Sequence, residues 1–154
     1  MSQKLTTAQI GKCGELLVQY RLLLLGVESS PMSTDTGIDL VAYSPTRHTA
    51  HTIQVKANER PKPGGGKGKA ALDWWLREDS PAELVALVDL SSEAVWMFRH
   101  EELVEHAQQI SSGRLHFYLY TDETARGRIK GRRVHLKEFE GFAMGVRAPE
   151  IFGV

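Results

Sequence analysis

The sequence predicts an α/β (α+β) fold in which a mixed central sheet is flanked by helices. Its 154 residues, 42% hydrophobic and 25% charged, suffice for one sizeable core. The apolar patterns follow the order helix, strands, helix, strands, helix, strand, which is typical of a sheet with helices packed on its faces. No repeat and no linker divides the chain, so residues 1–154 are expected to form one domain.

The first predicted element is a helix that begins at Thr6 or Thr7, runs to about Leu25 and stops at Gly26. Residues 16–25 are apolar on almost every side, so we expect this helix to be buried against a sheet. Strands are predicted at 27–32, 38–43 and 49–57. In the last of these, Ile53 and Val55 alternate with polar residues, as in a half-buried strand.

The middle of the chain is predicted to contain a mobile basic loop over 58–69, because this segment holds two prolines and four glycines. We predict a short helix at 70–77, strands at 83–90 and 94–98, a helix at 101–109 and a strand at 115–120. The three tryptophans are interpreted as core or interface residues rather than as base-stacking platforms. A weakly apolar tail follows from Phe139 to Val154.

Charge is balanced overall, with 19 basic and 19 acidic residues, but it is segregated along the chain. Residues 31–70 hold six cations and three acids, and residues 126–137 hold six cations and no acid. Two such segments can present a positive face to a polyanion such as DNA, although solvated loops are the alternative. The expected DNA contacts are Lys62, Lys67 and Lys69 in the basic loop, and Arg126, Arg128, Lys130, Arg132 and Arg133 in the basic C-terminal segment 126–137.

A membrane or secreted location is not expected. Cys13 is the single cysteine, which excludes a disulfide framework. The N-terminus lacks the apolar stretch of a signal peptide, and the apolar run 16–27 is too short and too polar to span a bilayer. The expected location is the cytoplasm.

Four polar residues occupy positions that are unfavourable for them. Glu15 lies inside the first helix, Asp39 inside the second predicted strand, and Gln54 and Lys56 on one face of the third. Two strand rises separate the Cα atoms of Gln54 and Lys56 by about 6–7 Å. A carboxylate in a strand interior is costly unless it is paired or binds a cation, so these groups are candidates for one site.

A hard cation such as Mg²⁺, for which Mn²⁺ can substitute, prefers oxygen ligands. Asp39, the backbone carbonyl of Val55 and the Gln54 amide oxygen are the candidate metal ligands, and Glu15 is expected to reach the ion directly or through water. Lys56 would lower the pKa of the metal-bound water and stabilise the pentacovalent phosphate. This is the chemistry of metal-assisted phosphodiester hydrolysis. The structural alternative is a cross-strand ion pair of Asp39 with Lys56, with Glu15 paired to Lys12.

These residues resemble the PD-(D/E)XK nuclease superfamily. The resemblance rests on Gly14-Glu15 in the first helix, Gly37-Ile38-Asp39 on one strand and Gln54-Val55-Lys56 on the next. It covers roughly residues 7–57 and implies an αβββαβ restriction-endonuclease-like core that continues to about residue 120. Ile38 replaces the usual proline, and Gln54 replaces the second acid, which removes one negative charge from the metal site.

The resemblance implies a Mg²⁺-dependent DNA endonuclease with Glu15, Asp39, Gln54 and Lys56 as catalytic residues. The helix and the long basic loop are most similar to the homing branch, and restriction enzymes and Holliday-junction resolvases are the related alternatives. A non-enzymatic DNA-binding module of the same fold, or a structural subunit that binds a protein partner, are the other classes. Because one centre cuts one strand, we expect a homodimer or a dimer of dimers. The tail either packs on its own domain or offers interface candidates: Phe139, Phe142, Met144, Ile151 and Phe152.

Overall fold

The structure is a computed structural model that describes residues 3–34, 36–64, 68–125 and 127–154. Its helices are α1 (Thr7–Leu24), α2 (His100–His106) and α3 (Met144–Phe152), with a 3₁₀ helix at Leu136–Phe142. Its strands are β1 (Glu28–Pro31), β2 (Leu40–Ser44), β3 (Thr49–Asn58), β4 (Lys62–Gly64), β5 (Lys69–Arg77), β6 (Leu84–Asp89), β7 (Ala94–Arg99), β8 (Gln109–Ser111), β9 (Arg114–Tyr120), β10 (Arg128–Ile129) and β11 (Arg132–Arg133). None of the described helices combines the length and apolarity that a membrane span requires.

The strands form two main sheets. The first has the order β1-β2-β3-β6-β7, in which β3 and β6 run parallel and the other neighbours antiparallel. The second is antiparallel with the order β4-β5-β9-β8, and β10 and β11 form a separate hairpin. The predicted fold class is confirmed: a mixed central sheet is flanked by helices.

The core lies on both faces of the first sheet. On one face α1 and α3 pack through Val18, Leu22 and Phe152. On the other face the second sheet packs through Trp74 and Phe117. All six residues of β6 are buried because this strand is covered on both sides. The prediction that the tryptophans belong to the core is confirmed for two of them, since Trp74 is 3% and Trp96 6% exposed. Trp75 is exposed.

The helix predicted at 70–77 is wrong, because these residues form strand β5. Leu72, Trp74 and Leu76 point into the core, whereas the alternate residues Asp73 and Trp75 are exposed. This alternation is typical of a strand that has one face against the core and the other exposed. Strand β5 is paired with β9 over seven residue pairs. The crossover between the parallel strands β3 and β6 is therefore made of strands instead of a helix.

Three further expectations need correction. Helix α1 begins at its Thr6 cap as predicted, but only a stripe with Val18 and Leu22 is buried, because one sheet covers one side of a helix. The basic loop 58–69 is partly ordered, since β4 pairs with β5; its residues 65–67 lie outside the described residues. The tail packs on its own domain, because each proposed interface residue joins one of the two large apolar clusters: Phe139, Phe142, Met144, Ile151 and Phe152.

Candidate functional site

One cleft of about 610 Å³ is lined by all the residues proposed for the metal site. Glu15 comes from α1, Asp39 from the segment before β2, and Gln54, Val55 and Lys56 from β3. The structure therefore brings the four predicted catalytic residues together. One detail differs from the prediction, because Asp39 immediately precedes β2 and does not lie in the strand interior.

Gly14 allows helix α1 to approach strand β3. A Cβ atom at this position would lie 2.7 Å from the Ala57 Cβ and 3.4 Å from the Val55 Cγ1. Because ordinary carbon contacts are about 3.5–4.0 Å, only glycine permits this distance. The close approach brings Glu15, the next residue of the helix, to the cleft formed by β3.

Asp39 is fixed against β3 by two hydrogen bonds. Its backbone N–H donates to the Ile53 carbonyl at 2.9 Å. Its carboxylate Oδ2 accepts the Val55 N–H at 2.7 Å, at the position where pairing with β2 has ended. Because the N–H and C=O of one strand residue point to the same side, the Val55 carbonyl also faces the Asp39 side of β3. The Asp39 carboxylate and the Val55 carbonyl, two candidate metal ligands, therefore lie at one edge of β3.

Gln54 is held by a residue that the sequence analysis did not single out. Its side chain is 8% exposed, and its Oε1 accepts a hydrogen bond from the Ser80 hydroxyl at 2.9 Å. Ser80 stands 26 positions away in a turn after β5, so no local pattern links the two residues. An amide oxygen has two lone pairs, and the Ser80 hydroxyl uses one of them.

Lys56 and Glu15 differ in how they are paired. Within the described ranges no salt bridge joins Asp39 to Lys56, so the predicted alternative of a cross-strand ion pair is not observed. The other part of that alternative is present, because Glu15 Oε2 lies 3.2 Å from the Lys12 ammonium. Glu15 thus lines the cleft while its charge is partly compensated by Lys12.

The donor set fits a hard divalent cation such as Mg²⁺ or Mn²⁺ better than a softer metal ion that takes histidine or cysteine ligands. Among the described residues, no three His, Cys, Asp or Glu side chains lie close enough to hold a metal ion. The oxygen atoms that line the cleft include carboxylates from Asp39 and Glu15, a backbone carbonyl from Val55 and an amide from Gln54. Mg²⁺ takes such ligands and keeps several waters, so a site with few protein ligands suits it.

A second cleft of about 390 Å³ adjoins the first and shares Gln54 and Lys56 with it. Its other walls come from β5 and β9, with Trp75, Arg77 and Arg114 among the lining residues. The sequence analysis did not predict this cleft, because it assigned residues 70–77 to a helix. The two clefts form a groove that passes over Lys56.

The predicted DNA-binding residues occupy several environments. Lys62 lines the first cleft. The Lys69 ammonium donates to the Thr124 carbonyl at 3.1 Å, and Arg133 donates to the Glu138 carbonyl while its guanidinium lies 5.1 Å from the Phe139 ring centre. These contacts keep both cations against their own domain. The remaining described cations are exposed, on or next to the β10–β11 hairpin: Arg128, Lys130 and Arg132. Lys67 and Arg126 lie outside the described residues.

The two basic segments lie at the same end of the second sheet. Strand β4 of the basic loop pairs with β5 at Ala71. Ala71 belongs to a small apolar cluster against which Ile129 of the C-terminal segment packs. Segments that are far apart in the sequence therefore meet beside Ala71, and Lys62 of the first segment also lines the cleft.

Comparison with solved structures identifies the fold. The chain matches the structure of a bacterial homing endonuclease, I-Ssp6803I, with a TM-score of 0.63 and 12% sequence identity, covering 96% of this chain and 95% of that one. A Holliday junction resolvase, Hjc from Archaeoglobus fulgidus, aligns with a TM-score of 0.48 and 20% identity over 74% of this chain and 84% of its own. MepB aligns with a TM-score of 0.35 and 14% identity over 76% and 86%. No protein-family model and no curated protein matches the sequence. The chain has a fold found in a nuclease.

Proposed function

We propose that this chain is a Mg²⁺-dependent DNA endonuclease of the PD-(D/E)XK superfamily, formed as one domain over residues 1–154. The observation that carries the proposal is the convergence of Asp39, Gln54, the Val55 carbonyl and Lys56 in one cleft. The similarity to a homing endonuclease over almost the whole chain supports it. The single free Cys13 fits action in the cytoplasm, where thiols stay reduced.

The residues of the cleft have distinct proposed roles. Asp39, the Val55 carbonyl and Gln54 would hold Mg²⁺ or Mn²⁺, with Glu15 acting through water. When bound, the ion supplies Lewis-acid stabilisation at a phosphate oxygen and makes water more acidic. The Lys56 ammonium stabilises the negative charge that grows on the phosphate in the transition state. Lys62, at the cleft wall, neutralises a neighbouring phosphate.

A homing or restriction-type enzyme is the preferred form of this function, and a junction resolvase is the alternative. The uncharged Gln54 leaves open a second candidate, a DNA-binding module of the same fold without turnover. The enzyme and the DNA-binding module differ in metal dependence, because only the enzyme needs the ion for its activity. The third class, a structural subunit that binds a protein partner, would differ from the DNA-binding module because it would bind no DNA in EDTA.

We also propose that the active form is a homodimer or a dimer of dimers, because one centre hydrolyses one strand and cutting both strands needs two centres. The five apolar tail residues considered for the interface pack on their own domain, so the proposed interface lies elsewhere. Leu16, Tyr20 and Leu23 on α1, together with Tyr43 on β2, leave large apolar side chains 45–62% exposed beside a groove of about 890 Å³. A second copy is the proposed occupant, since β1 is also the edge strand of the first sheet among the described residues.

The dimer is tested by light scattering of wild type and two variants. Leu23→Glu introduces a charge into the apolar surface and should give a monomer. Val146→Glu places the same charge on α3, where Val146 is 57% exposed outside that groove, and should leave the dimer intact. A dimer that persists in Leu23→Glu would contradict the proposed interface.

The function is tested with supercoiled plasmid and a four-way junction in the presence of Mg²⁺. Asp39→Asn keeps an oxygen acceptor for the Val55 N–H but removes the charge, so it should fold normally and lose cleavage. It should also lose the Mg²⁺-induced rise in melting temperature, which follows RT ln(1+[L]/Kd) for an ion that binds the folded state. Equal Mg²⁺ shifts in wild type and variant would contradict the metal assignment.

Lys56→Ala tests the transition-state role. Cleavage should fall by about 10²- to 10³-fold while DNA affinity changes only a few fold, because the stabilised charge develops during the reaction. Lys137→Ala is the matched control, since Lys137 forms an ion pair with Glu123 outside both clefts and should cut at the wild-type rate. Wild-type cleavage by Lys56→Ala would refute the mechanism.

A further inference from the structure

The second cleft contains an exposed aromatic side chain that the proposed hydrolysis does not use. Trp75 is 42% exposed and lines this cleft together with Gln54 and Lys56 of the catalytic site. A large aromatic ring that remains exposed beside a reactive centre is positioned to contact the substrate. Its neighbours Arg77 and Arg114 line the same cleft and add positive charge.

Trp75 lies between a histidine and an arginine. The His116 ring stacks on the indole at 4.1 Å between ring centres with an interplanar angle of 3°. His116 Nε2 lies 3.1 Å from Asp73 Oδ2, which orients the imidazole. The guanidinium carbon of Arg114 lies over the indole, 5.4 Å from the ring centre. Both side chains therefore contact the indole ring of Trp75.

Arg114 is held more weakly than His116. It is exposed, and in the part of the chain that the structure describes its guanidinium forms no salt bridge and no hydrogen bond. An exposed cation–π contact is weaker than the stacking of a nucleobase on an aromatic side chain. A base can therefore replace Arg114 on the indole, and the released guanidinium can bind a phosphate.

We propose that Trp75, Arg114 and His116 form a nucleotide-binding wall that holds one unpaired nucleotide next to the scissile phosphate. The base takes the place of Arg114 on the indole of Trp75, His116 holds the indole by stacking on it, and the released Arg114 neutralises the adjacent phosphate. Bases inside a continuous duplex have both faces covered by their neighbours, whereas an unpaired base that leaves the stack offers a free face. This inference rests on the proposed nuclease function and assigns its substrate class: DNA with an unpaired nucleotide beside the cut.

A purely structural role is the competing explanation. Trp75 and His116 are directly opposite each other on β5 and β9, and such aromatic cross-strand pairs stabilise a sheet. That role predicts a loss of stability when Trp75 is replaced. It predicts no change in the preference of the protein between two DNA molecules.

The experiment compares binding of two labelled DNAs in Ca²⁺, a short duplex and the same duplex with one unpaired thymidine. Trp75→Ala should weaken binding of the second DNA by about 5- to 150-fold, the factor that corresponds to one lost stacking contact. Its affinity for the continuous duplex should change less than about twofold. Trp75→Tyr should retain most of the preference. Ile110→Ala is the control on the same sheet, because Ile110 is 46% exposed on β8 and lines neither cleft.

Intrinsic fluorescence gives a readout that does not depend on affinity differences. Trp74 and Trp96 are buried, so quenching on addition of single-stranded oligothymidine should come from Trp75 and should be absent in Trp75→Tyr. If Trp75→Ala binds both DNAs with the wild-type preference, this inference is wrong and the nuclease proposal stands. If the wild-type protein binds neither DNA, both proposals are refuted.

Discussion

The contact between α1 and β3 allows a quantitative test with two glycines of the same helix. Gly14→Ala would place a methyl group 2.7 Å from the Ala57 Cβ, so the helix or the strand must move by about 1 Å to reach an ordinary contact. Overpacking of this kind costs about 1–3 kcal/mol, and the better helix propensity of alanine returns about 1 kcal/mol. The net change should range from about zero to 2 kcal/mol of lost stability.

Gly11→Ala is the matched control, because no atom lies within 4 Å of a Cβ at that position. It should gain about 1 kcal/mol from helix propensity alone. The two variants should therefore differ by about 1–3 kcal/mol, or roughly 2–12 °C in melting temperature for a chain of this size. Thermal unfolding followed by circular dichroism measures the difference. Equal stability of Gly14→Ala and Gly11→Ala would contradict the close approach of α1 to β3 at Gly14.

Three further predictions concern single side chains. Ser80→Ala leaves the buried Gln54 oxygen without its hydroxyl donor and should cost about 1–3 kcal/mol of unfolding free energy, measured by urea denaturation; an unchanged value would contradict the hydrogen bond. Burial, and secondarily Arg133, lowers the pKa of His106 below its ordinary value of 6.5, so the folded chain binds fewer protons than the unfolded chain near that pH. The stability that is present above pH 6.5 is therefore lost as the pH falls through the folded-state pKa of His106. The melting temperature of His106→Gln should accordingly fall less between neutral and mildly acidic pH than that of wild type. Lys62→Ala should reduce the salt slope of DNA binding by about 0.9, and Lys69→Ala by less, because the Lys69 ammonium is bonded to a carbonyl; equal slopes would refute this difference.

The candidate site could be located from the sequence because its residues lie on adjacent local elements. Asp39 and Val55 are joined across one antiparallel turn, 16 positions apart, and Gly14 places the preceding helix on the same strand. A polar residue in a strand with buried neighbours is visible in the sequence as a departure from the apolar pattern. Periodicity along 49–57 then indicates which side chains share a face.

The remaining features depend on contacts that no local pattern records. Residues 70–77 satisfy a helical pattern as well as a strand pattern, and pairing with β9 decides between them. Ser80 reaches Gln54 only because the crossover returns past the end of β3. The apolar residues of the tail appeared too sparse to form a core strand. Phe139 and Phe152 are nevertheless fully buried, because the tail divides its apolar side chains between the two clusters instead of forming a continuous strand.

The different sequence separations within the two sheets have a consequence for folding kinetics. Asp39 and Val55 close a short loop, whereas Asp73 and His116, which lie on paired strands of the second sheet, are 43 positions apart. Loop-closure entropy makes pairings of low contact order faster, so the first cleft should form before the second sheet completes the groove. In native-state hydrogen exchange, β5 and β9 should accordingly open as a separate cooperative unit. A partly folded chain would then expose Asp39 and Lys56 to solvent before Trp75 and His116 have paired.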